Sequence, residues 1–132
     1  MKLLLLLLNV FILSTCFGSK EYVREYYVNK KLKAEGWIEN NKKVDYWFFY
    51  NENGSKKEEG HFENGKKTSW WIIYNSKNKI VKKCEYKNDK LDGFSVIYED
   101  GTIVKAEKYT FGKKLKEWES IAEFKKDNSD LF

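Results

Sequence analysis

The 132-residue chain contains no proline, one methionine, one histidine and two cysteines. Because proline is absent, nothing in the chain resembles a rigid linker, and the residues after the N-terminal segment are few enough for one domain. With a single histidine, any catalytic histidine would have to be His61, and a metal site would need several carboxylates or more histidines. The shortages therefore favour a one-domain protein without a catalytic or metal centre.

Charge of one sign is not concentrated anywhere in the chain. The 25 Lys and Arg residues and 20 Asp and Glu residues give a net charge of +5, and the two signs alternate, as at residues 56–59. A nucleic-acid-binding surface would instead carry a basic cluster with aromatic side chains on which bases stack. The pattern predicts a solvated surface and no nucleic-acid partner.

A long apolar run occurs only at the N-terminus. Residues 3–13 are apolar apart from Asn9 and follow Lys2. Eleven helical residues would cover ~16 Å, which is too short for a hydrocarbon core of ~30 Å. The run therefore predicts a secretory signal peptide over residues 1–18 rather than a membrane span.

The end of this segment, LSTC at residues 13–16, resembles the lipobox of bacterial lipoproteins, in which the cysteine becomes the acylated first residue. The resemblance implies lipidation of Cys16 and an outer-membrane or periplasmic lipoprotein. The alternative is ordinary cleavage after Cys16 or Gly18, which would give a secreted or periplasmic chain. The only predicted membrane contact is the lipid anchor that acylation of Cys16 would provide.

The most informative pattern is an internal repeat with a period of 24 residues. Sliding the chain by this length superimposes asparagines on asparagines and aromatic residues on aromatic or β-branched ones. The matched sets are Tyr50, Tyr74 and Tyr98; Asn40, Asn64 and Asn88; Tyr46, Trp70 and Phe94; Phe48, Ile72 and Val96; and Phe49, Ile73 and Ile97.

Asn-Gly pairs at residues 53–54 and 64–65 lie between runs of strand-favouring residues. Asn-Gly readily supplies the positive φ angles of a two-residue type I′ turn, so each unit is predicted to contain two short strands and two tight turns. The predicted cross-strand pairs are Trp47–Gly60, Phe49–Glu58, Phe62–Lys67 and Trp71–Cys84. The predicted fold class is all-β, an antiparallel meander of repeated hairpins.

This register divides the apolar side chains between two faces. One face is predicted to carry Trp47, Phe49, Gly60, Phe62, Trp71 and Ile73, with the ring of Trp47 covering the exposed backbone of Gly60. Cys84 is expected to be a buried small residue opposite Trp71. The other face is predicted to carry Tyr46, Phe48, Tyr50, Trp70, Ile72 and Tyr74.

Five Trp, nine Tyr and nine Phe exceed what one buried face of such a sheet requires. Either rings on both faces shield the backbone of a thin sheet, or one face is a contact surface for a protein, peptide or glycan. On the second interpretation the partner-binding residues are Tyr46, Phe48, Tyr50, Trp70, Ile72 and Tyr74.

The C-terminal part departs from the repeat. Asp-Gly at residues 100–101 shortens the third unit by one residue and predicts that Ser95 pairs with Ala106. Beyond it, alternation at Trp118, Ser120, Ala122 and Phe124 favours a last strand as far as Glu123, whereas helical spacing of Leu115, Trp118, Ile121 and Ala122 favours a short helix. The predicted repeat domain covers residues 19–124, followed by a tail at residues 125–132.

No catalytic, cofactor-binding or metal-binding residue is predicted. His61 shares a repeat position with Trp37 and Glu85, so its chemistry varies between units and it is expected to face solvent. Glu58 and Glu59 are adjacent on a strand and point to opposite faces, which excludes a paired-carboxylate site.

Several segments together resemble the MORN-repeat variant of bacterial envelope and antitoxin-like proteins over about residues 22–118. They are YNENG at residues 50–54, KEEG at 57–60, FENGK at 62–66, the Trp70-Trp71 pair and Tyr74. The resemblance implies a hairpin scaffold with no active site. The predicted function is a non-enzymatic protein-binding scaffold, exported to the bacterial cell envelope. The alternative is an antitoxin or immunity-like protein that neutralises a toxin through the same face.

Overall fold

The computed structural model describes residues 18–131, and the predicted signal peptide up to residue 17, with the lipidation candidate Cys16, lies outside the described residues. Within this range, nine strands form one antiparallel sheet in which each strand pairs with the next along the chain. This confirms the predicted all-β meander. The strands are β1 (Glu21–Tyr26), β2 (Leu32–Glu39), β3 (Lys42–Tyr50), β4 (Lys56–Glu63), β5 (Lys66–Tyr74), β6 (Ile80–Lys87), β7 (Lys90–Glu99), β8 (Thr102–Thr110) and β9 (Lys113–Trp118).

The 24-residue period recurs in the backbone conformation. Asn40, Asn64 and Asn88 have φ angles of 49°, 50° and 49° and begin equivalent two-residue turns. Asparagine tolerates this left-handed conformation better than most residues, which explains why it recurs at this position. A second set of positive φ angles marks a repeated irregularity early in β3, β5 and β7, at Asp45, Ser69 and Gly93.

The register agrees with the predicted pairs in the first two units. Trp47 lies opposite Gly60, Phe49 opposite Glu58, Phe62 opposite Lys67, and Trp71 opposite Cys84. The predicted pairing of Ser95 with Ala106 is wrong. A shift in register between Ile97 and Tyr98 places Ser95 opposite Glu107 and Ala106 opposite Val96. Such a bulge is not visible in the Asp-Gly turn from which the prediction was made.

The indole rings cover strand glycines, but in a different combination from the predicted one. A methyl group on Gly36 would come within 2.4 Å of the Trp47 ring, and one on Gly60 within 2.4 Å of the Trp71 ring. The prediction that Trp47 covers Gly60 is therefore wrong, because each indole lies over the glycine of the preceding strand. Its Nε1 then donates to a backbone carbonyl there, at 2.9 Å to Trp37 and 3.1 Å to His61.

The chain does not continue as a strand to Glu123. Strand β9 ends at Trp118, and a helix, α1, spans Ile121–Asp127, followed by a 3₁₀ turn at Ser129–Leu131. The Ser120 hydroxyl accepts a hydrogen bond from the Glu123 N–H at 3.2 Å, which caps the helix. The strand prediction for this segment is wrong, and the boundary predicted at residue 124 falls inside α1.

A bulge decides which face of the sheet Trp118 occupies. In the β2–β3 hairpin, β3 has two extra residues between the pairs Trp37–Val44 and Gly36–Trp47. Because the shift is by two residues, side chains continue to alternate between the same two faces. In the β8–β9 hairpin the register shifts by only one residue, between Tyr109 and Lys108. Trp118 therefore lies opposite Ala106, whereas a two-residue shift would place it opposite Glu107. Because successive side chains point to opposite faces, this single residue moves Trp118 to the face opposite that of Trp47.

Candidate partner-binding face

The six residues predicted to bind a partner lie together on one face of the sheet, on β3 and β5. We call this the tyrosine face. Tyr46 and Phe48 pack with ring centroids 5.0 Å apart, and Trp70 and Ile72 line one groove. We call the opposite side the indole face, defined by Trp47, Phe49, Gly60, Phe62, Trp71 and Ile73.

The indole face is closed by its own side chains. Trp47 is fully buried, with the Lys43 ammonium 3.4 Å from its ring centroid. The same ammonium pairs with Glu25 at 2.7 Å. In the next unit the Lys67 ammonium lies 3.9 Å from the Trp71 ring centroid and pairs with Glu58 at 2.8 Å. Because lysine stems and ion pairs lie over the rings, this face offers little apolar surface to a partner.

On the tyrosine face, tyrosine hydroxyls are held by carboxylates of the preceding strand. Tyr50 Oη donates to Glu35 at 3.0 Å, and Tyr74 Oη donates to Glu59 at 2.9 Å. Burial and the Glu35 carboxylate raise the pKa of Tyr50 to about 12, and burial with the Glu59 carboxylate also raises the pKa of Tyr74. We call each of these pairs a tyrosine–glutamate clasp.

Each clasp carboxylate also has a cationic neighbour. Arg24 Nε donates to Glu35 at 3.1 Å, and Lys56 Nζ lies 3.4 Å from Glu59. Burial alone would raise the pKa of Glu35, but the hydrogen bonds from Arg24 and Tyr50 outweigh it and lower the pKa below its usual range. Both carboxylates are therefore already paired within the sheet.

The third unit has no clasp. Lys83 occupies the repeat position of Glu35 and Glu59, and its ammonium lies 5.6 Å from the ring centroid of Tyr98. Within residues 18–131, Lys83 forms no ion pair, and the Tyr98 hydroxyl forms no hydrogen bond. The sequence shows this change, because one repeat position holds Glu, Glu and then Lys in successive units. The predicted site residues nevertheless did not include Lys83.

Lys83 stands in a shallow groove of about 320 Å³, lined also by Trp70, Ile72, Val96 and Tyr98. Trp70 is 43% exposed, so its ring is accessible from solvent. Val96 and Tyr98 were not predicted as site residues, although they share repeat positions with Ile72 and Tyr74. The groove is thus an apolar channel across β5, β6 and β7 that contains the cation of Lys83, which forms no ion pair with any residue that the structure describes.

Beyond the groove, helix α1 covers the tyrosine face. Phe124 packs edge to face on Phe94 and Trp118, with ring centroids 5.4 and 5.1 Å apart. Together with Ala106 and Ile121 these rings form a small core, and Trp118 is only 5% exposed. In the described chain, α1 therefore provides a second layer over one end of the tyrosine face and leaves the groove uncovered.

Aromatic residues extend the open part towards β1. Trp37 packs on Tyr22 with centroids 5.2 Å apart, and the two side chains are 38% and 40% exposed. His61 lies on the same face, 4.8 Å from Tyr46, and is exposed as the repeat position predicts. None of these three residues was predicted to be part of the face. Trp37 and His61 share a repeat position that holds different residue types in different units, whereas Tyr22 lies 24 residues before Tyr46 and could have been found from the repeat.

Cys84 is the small buried residue that the register predicts. It is 1% exposed, and burial raises the pKa of its thiol. Within residues 18–131, His, Cys, Asp and Glu side chains form no group of three that could hold a metal ion. In the same range, no helix has the length and apolar character needed to cross a membrane.

The fold and the face define an open sheet of repeated hairpins with one closed side and one partly open side. No protein-family model matches the chain, and no curated protein matches it. Among solved structures it is similar to a chain in the crystal structure of accessory secretory protein 1, 2 and 3 in Streptococcus pneumoniae, with a TM-score of 0.45 and 12% sequence identity. The match covers 84% of this chain and 25% of that chain, so it carries no functional argument.

Proposed function

We propose that this protein is an exported, non-enzymatic scaffold of the MORN-repeat-variant type, which binds another protein at the bacterial cell envelope through the open part of the tyrosine face. One observation carries the proposal. The sheet covers its indole face with its own side chains and one end of its tyrosine face with α1, yet Trp70 remains 43% exposed over an apolar groove.

Exposed apolar surface of this kind marks interaction sites in soluble proteins. Sheets normally bury an apolar face against a second layer, and here α1 provides that layer only over Phe94, Ala106 and Trp118. A partner packed over Trp70 and Ile72 would complete the layer. The clasps of Tyr50 and Tyr74 hold these side chains in place, which lowers the entropy lost on binding.

The envelope location is supported by the N-terminal sequence. The apolar run after Lys2 is typical of export signals, and the LSTC segment at residues 13–16 resembles a lipobox. Acylation of Cys16 would attach the sheet to a membrane surface. Intact-mass spectrometry of protein from the host's membranes tests this part: an acylated chain beginning at Cys16 supports it, and an unmodified chain beginning after that residue contradicts the anchor.

Site-specific photo-crosslinking in the host tests the binding face. A photoreactive amino acid at position 70 should crosslink to a specific protein. The matched control is position 111, where Phe111 is 74% exposed in a turn outside the groove. Adducts at position 70 but not at 111 support the proposal. Equal crosslinking at both positions, or none at position 70, would contradict it.

A further inference from the structure

One repeat position on the tyrosine face is acidic in the first two units and basic in the third unit, where the groove lies. Glu35 and Glu59 are the acceptors of the two clasps, whereas Lys83 occupies the same position in the third unit. A lysine ammonium has no acceptor capacity, so the Tyr98 hydroxyl loses the partner that Tyr50 and Tyr74 have. Within residues 18–131, the third unit thus presents a cation 5.6 Å from the Tyr98 ring centroid and a tyrosine hydroxyl without a hydrogen bond.

Two carboxylates near the groove have hydrogen-bond donors of their own. Glu59 accepts from Tyr74 and lies beside Lys56, and the Glu85 carboxylate accepts from the Phe94 N–H at 3.3 Å. Among residues 18–131, Lys83 forms no ion pair, so its ammonium is available to an anion that enters the groove. Around that charge the walls are apolar: Trp70, Ile72 and Val96.

We infer that this groove receives an acidic segment of the partner polypeptide, an inference that rests on the proposed function. A carboxylate of Asp or Glu pairs with the Lys83 ammonium and accepts from the Tyr98 hydroxyl. A neighbouring aliphatic or aromatic side chain of the same segment packs between Trp70 and Val96. Charge-assisted hydrogen bonds at the edge of an apolar contact are stronger than neutral ones and fix the register of the bound segment.

Selection from a displayed library of random 12-residue peptides tests the inference. The bait is the protein expressed from its full-length gene, either unchanged, as Lys83→Glu, or as Lys82→Met. Lys82 is the matched control because it is the adjacent residue on the same strand and points to the indole face, where its ammonium lies 3.7 Å from Glu107. Both variants are checked for cooperative unfolding before selection.

The unchanged protein should enrich peptides that carry Asp or Glu next to an apolar residue. Lys83→Glu should weaken binding of those peptides at least about tenfold, and Lys82→Met should leave it within about twofold. Enriched peptides without acidic bias, bound equally well by Lys83→Glu, would overturn the inference and leave the proposed function standing. No enriched peptide, together with retention of polysaccharide on a glycan array, would overturn the proposed function itself.

Discussion

The first two units and the C-terminal end of the sheet are built from the same kind of hairpin, but their buried tryptophan rings lie on opposite faces. In β2–β5, Trp47 and Trp71 lie on strand glycines of the indole face. At the C-terminal end, Ser95 replaces the tryptophan, Cys84 replaces the glycine, and Trp118 lies on the tyrosine face under α1. The comparison shows that the turns and bulges fix where a side chain points, and the local sequence then decides which face holds the core.

The comparison also explains why binding surface remains in the middle. In the first two units, in which a tryptophan ring lies on a strand glycine, lysines cover the indole face. At the C-terminal end, α1 covers the tyrosine face. Between them, the tyrosine face around Trp70 has neither form of cover. The open groove therefore lies between the part of the sheet that is covered by lysines on the indole face and the part that is covered by α1 on the tyrosine face.

The largest effect expected is on the stability of a tryptophan–glycine unit. Trp71→Ala should lower the free energy of unfolding by about 4–5 kcal/mol, because it removes a fully buried ring. Its neighbour Trp70 points to the opposite face and is 43% exposed, so Trp70→Ala should cost less than about 1.5 kcal/mol. Chemical denaturation measures both values. Equal losses would contradict the assignment of the two faces.

The second effect tests the cover at the C-terminal end. Phe124→Ala should cost about 3 kcal/mol, because Phe124 is 8% exposed and joins α1 to Phe94 and Trp118. Loss of α1 should also expose Trp118 and shift tryptophan fluorescence to longer wavelength. Leu131→Ala, at a 55% exposed position, is the control and should change stability by less than about 0.5 kcal/mol. A destabilised protein with unchanged fluorescence would show that α1 does not shield Trp118.

The third effect compares equivalent positions in two units. Gly60→Ala should cost about 1–3 kcal/mol, because the new methyl group would lie 2.4 Å from the Trp71 ring. The equivalent position in the third unit already holds Cys84, so Cys84→Ala should cost about 1 kcal/mol or less. Thermal unfolding of the two variants checks this difference. If Gly60→Ala were neutral, the ring would not be fixed over the glycine.

The fourth effect is a loss of stability at alkaline pH. The pKa of Tyr50 is raised to about 12 in the folded protein, against about 10 in the unfolded chain, so the folded state holds the proton more tightly. This contribution is complete below pH 10 and is lost as the pH rises towards 12. Denaturation between pH 8 and 12 measures it. Tyr50→Phe should weaken the alkaline loss, and an identical profile in that variant would show that the clasp does not contribute.

The smallest effect sharpens the comparison of the clasps. Lys83→Glu restores the residue found at Glu35 and Glu59 and should form a hydrogen bond with Tyr98, raising stability by about 0.5–1.5 kcal/mol. The double variant with Tyr98→Phe should lose that gain. A double-mutant cycle measured by chemical denaturation isolates the pair. A coupling energy near zero would mean that the third unit cannot adopt the clasp.

Much of the fold follows from the sequence because the repeat fixes the turns. Two Asn-Gly pairs and a 24-residue period led to the strand pairs of the first two units, including Trp47 with Gly60. The pairing of Ser95 failed because a bulge shifts the register without a distinctive residue to mark it. The C-terminal strand prediction failed because the segment carries two patterns, strand-like alternation and helical spacing, and the helix that packs back on the sheet is the one that forms.

The sequence by itself determined the repeat, the tight turns and the two sets of alternating side chains, since these depend on local backbone preference and spacing. Only the tertiary structure decided how much of each face is covered. Covering depends on where lysines, indole rings and α1 meet across strands, and a one-residue bulge reverses the outcome for Trp118. The position of Lys83 depends on both the sequence and the tertiary structure. Its repeat position is visible in the sequence, and its groove exists only once β5, β6 and β7 pair.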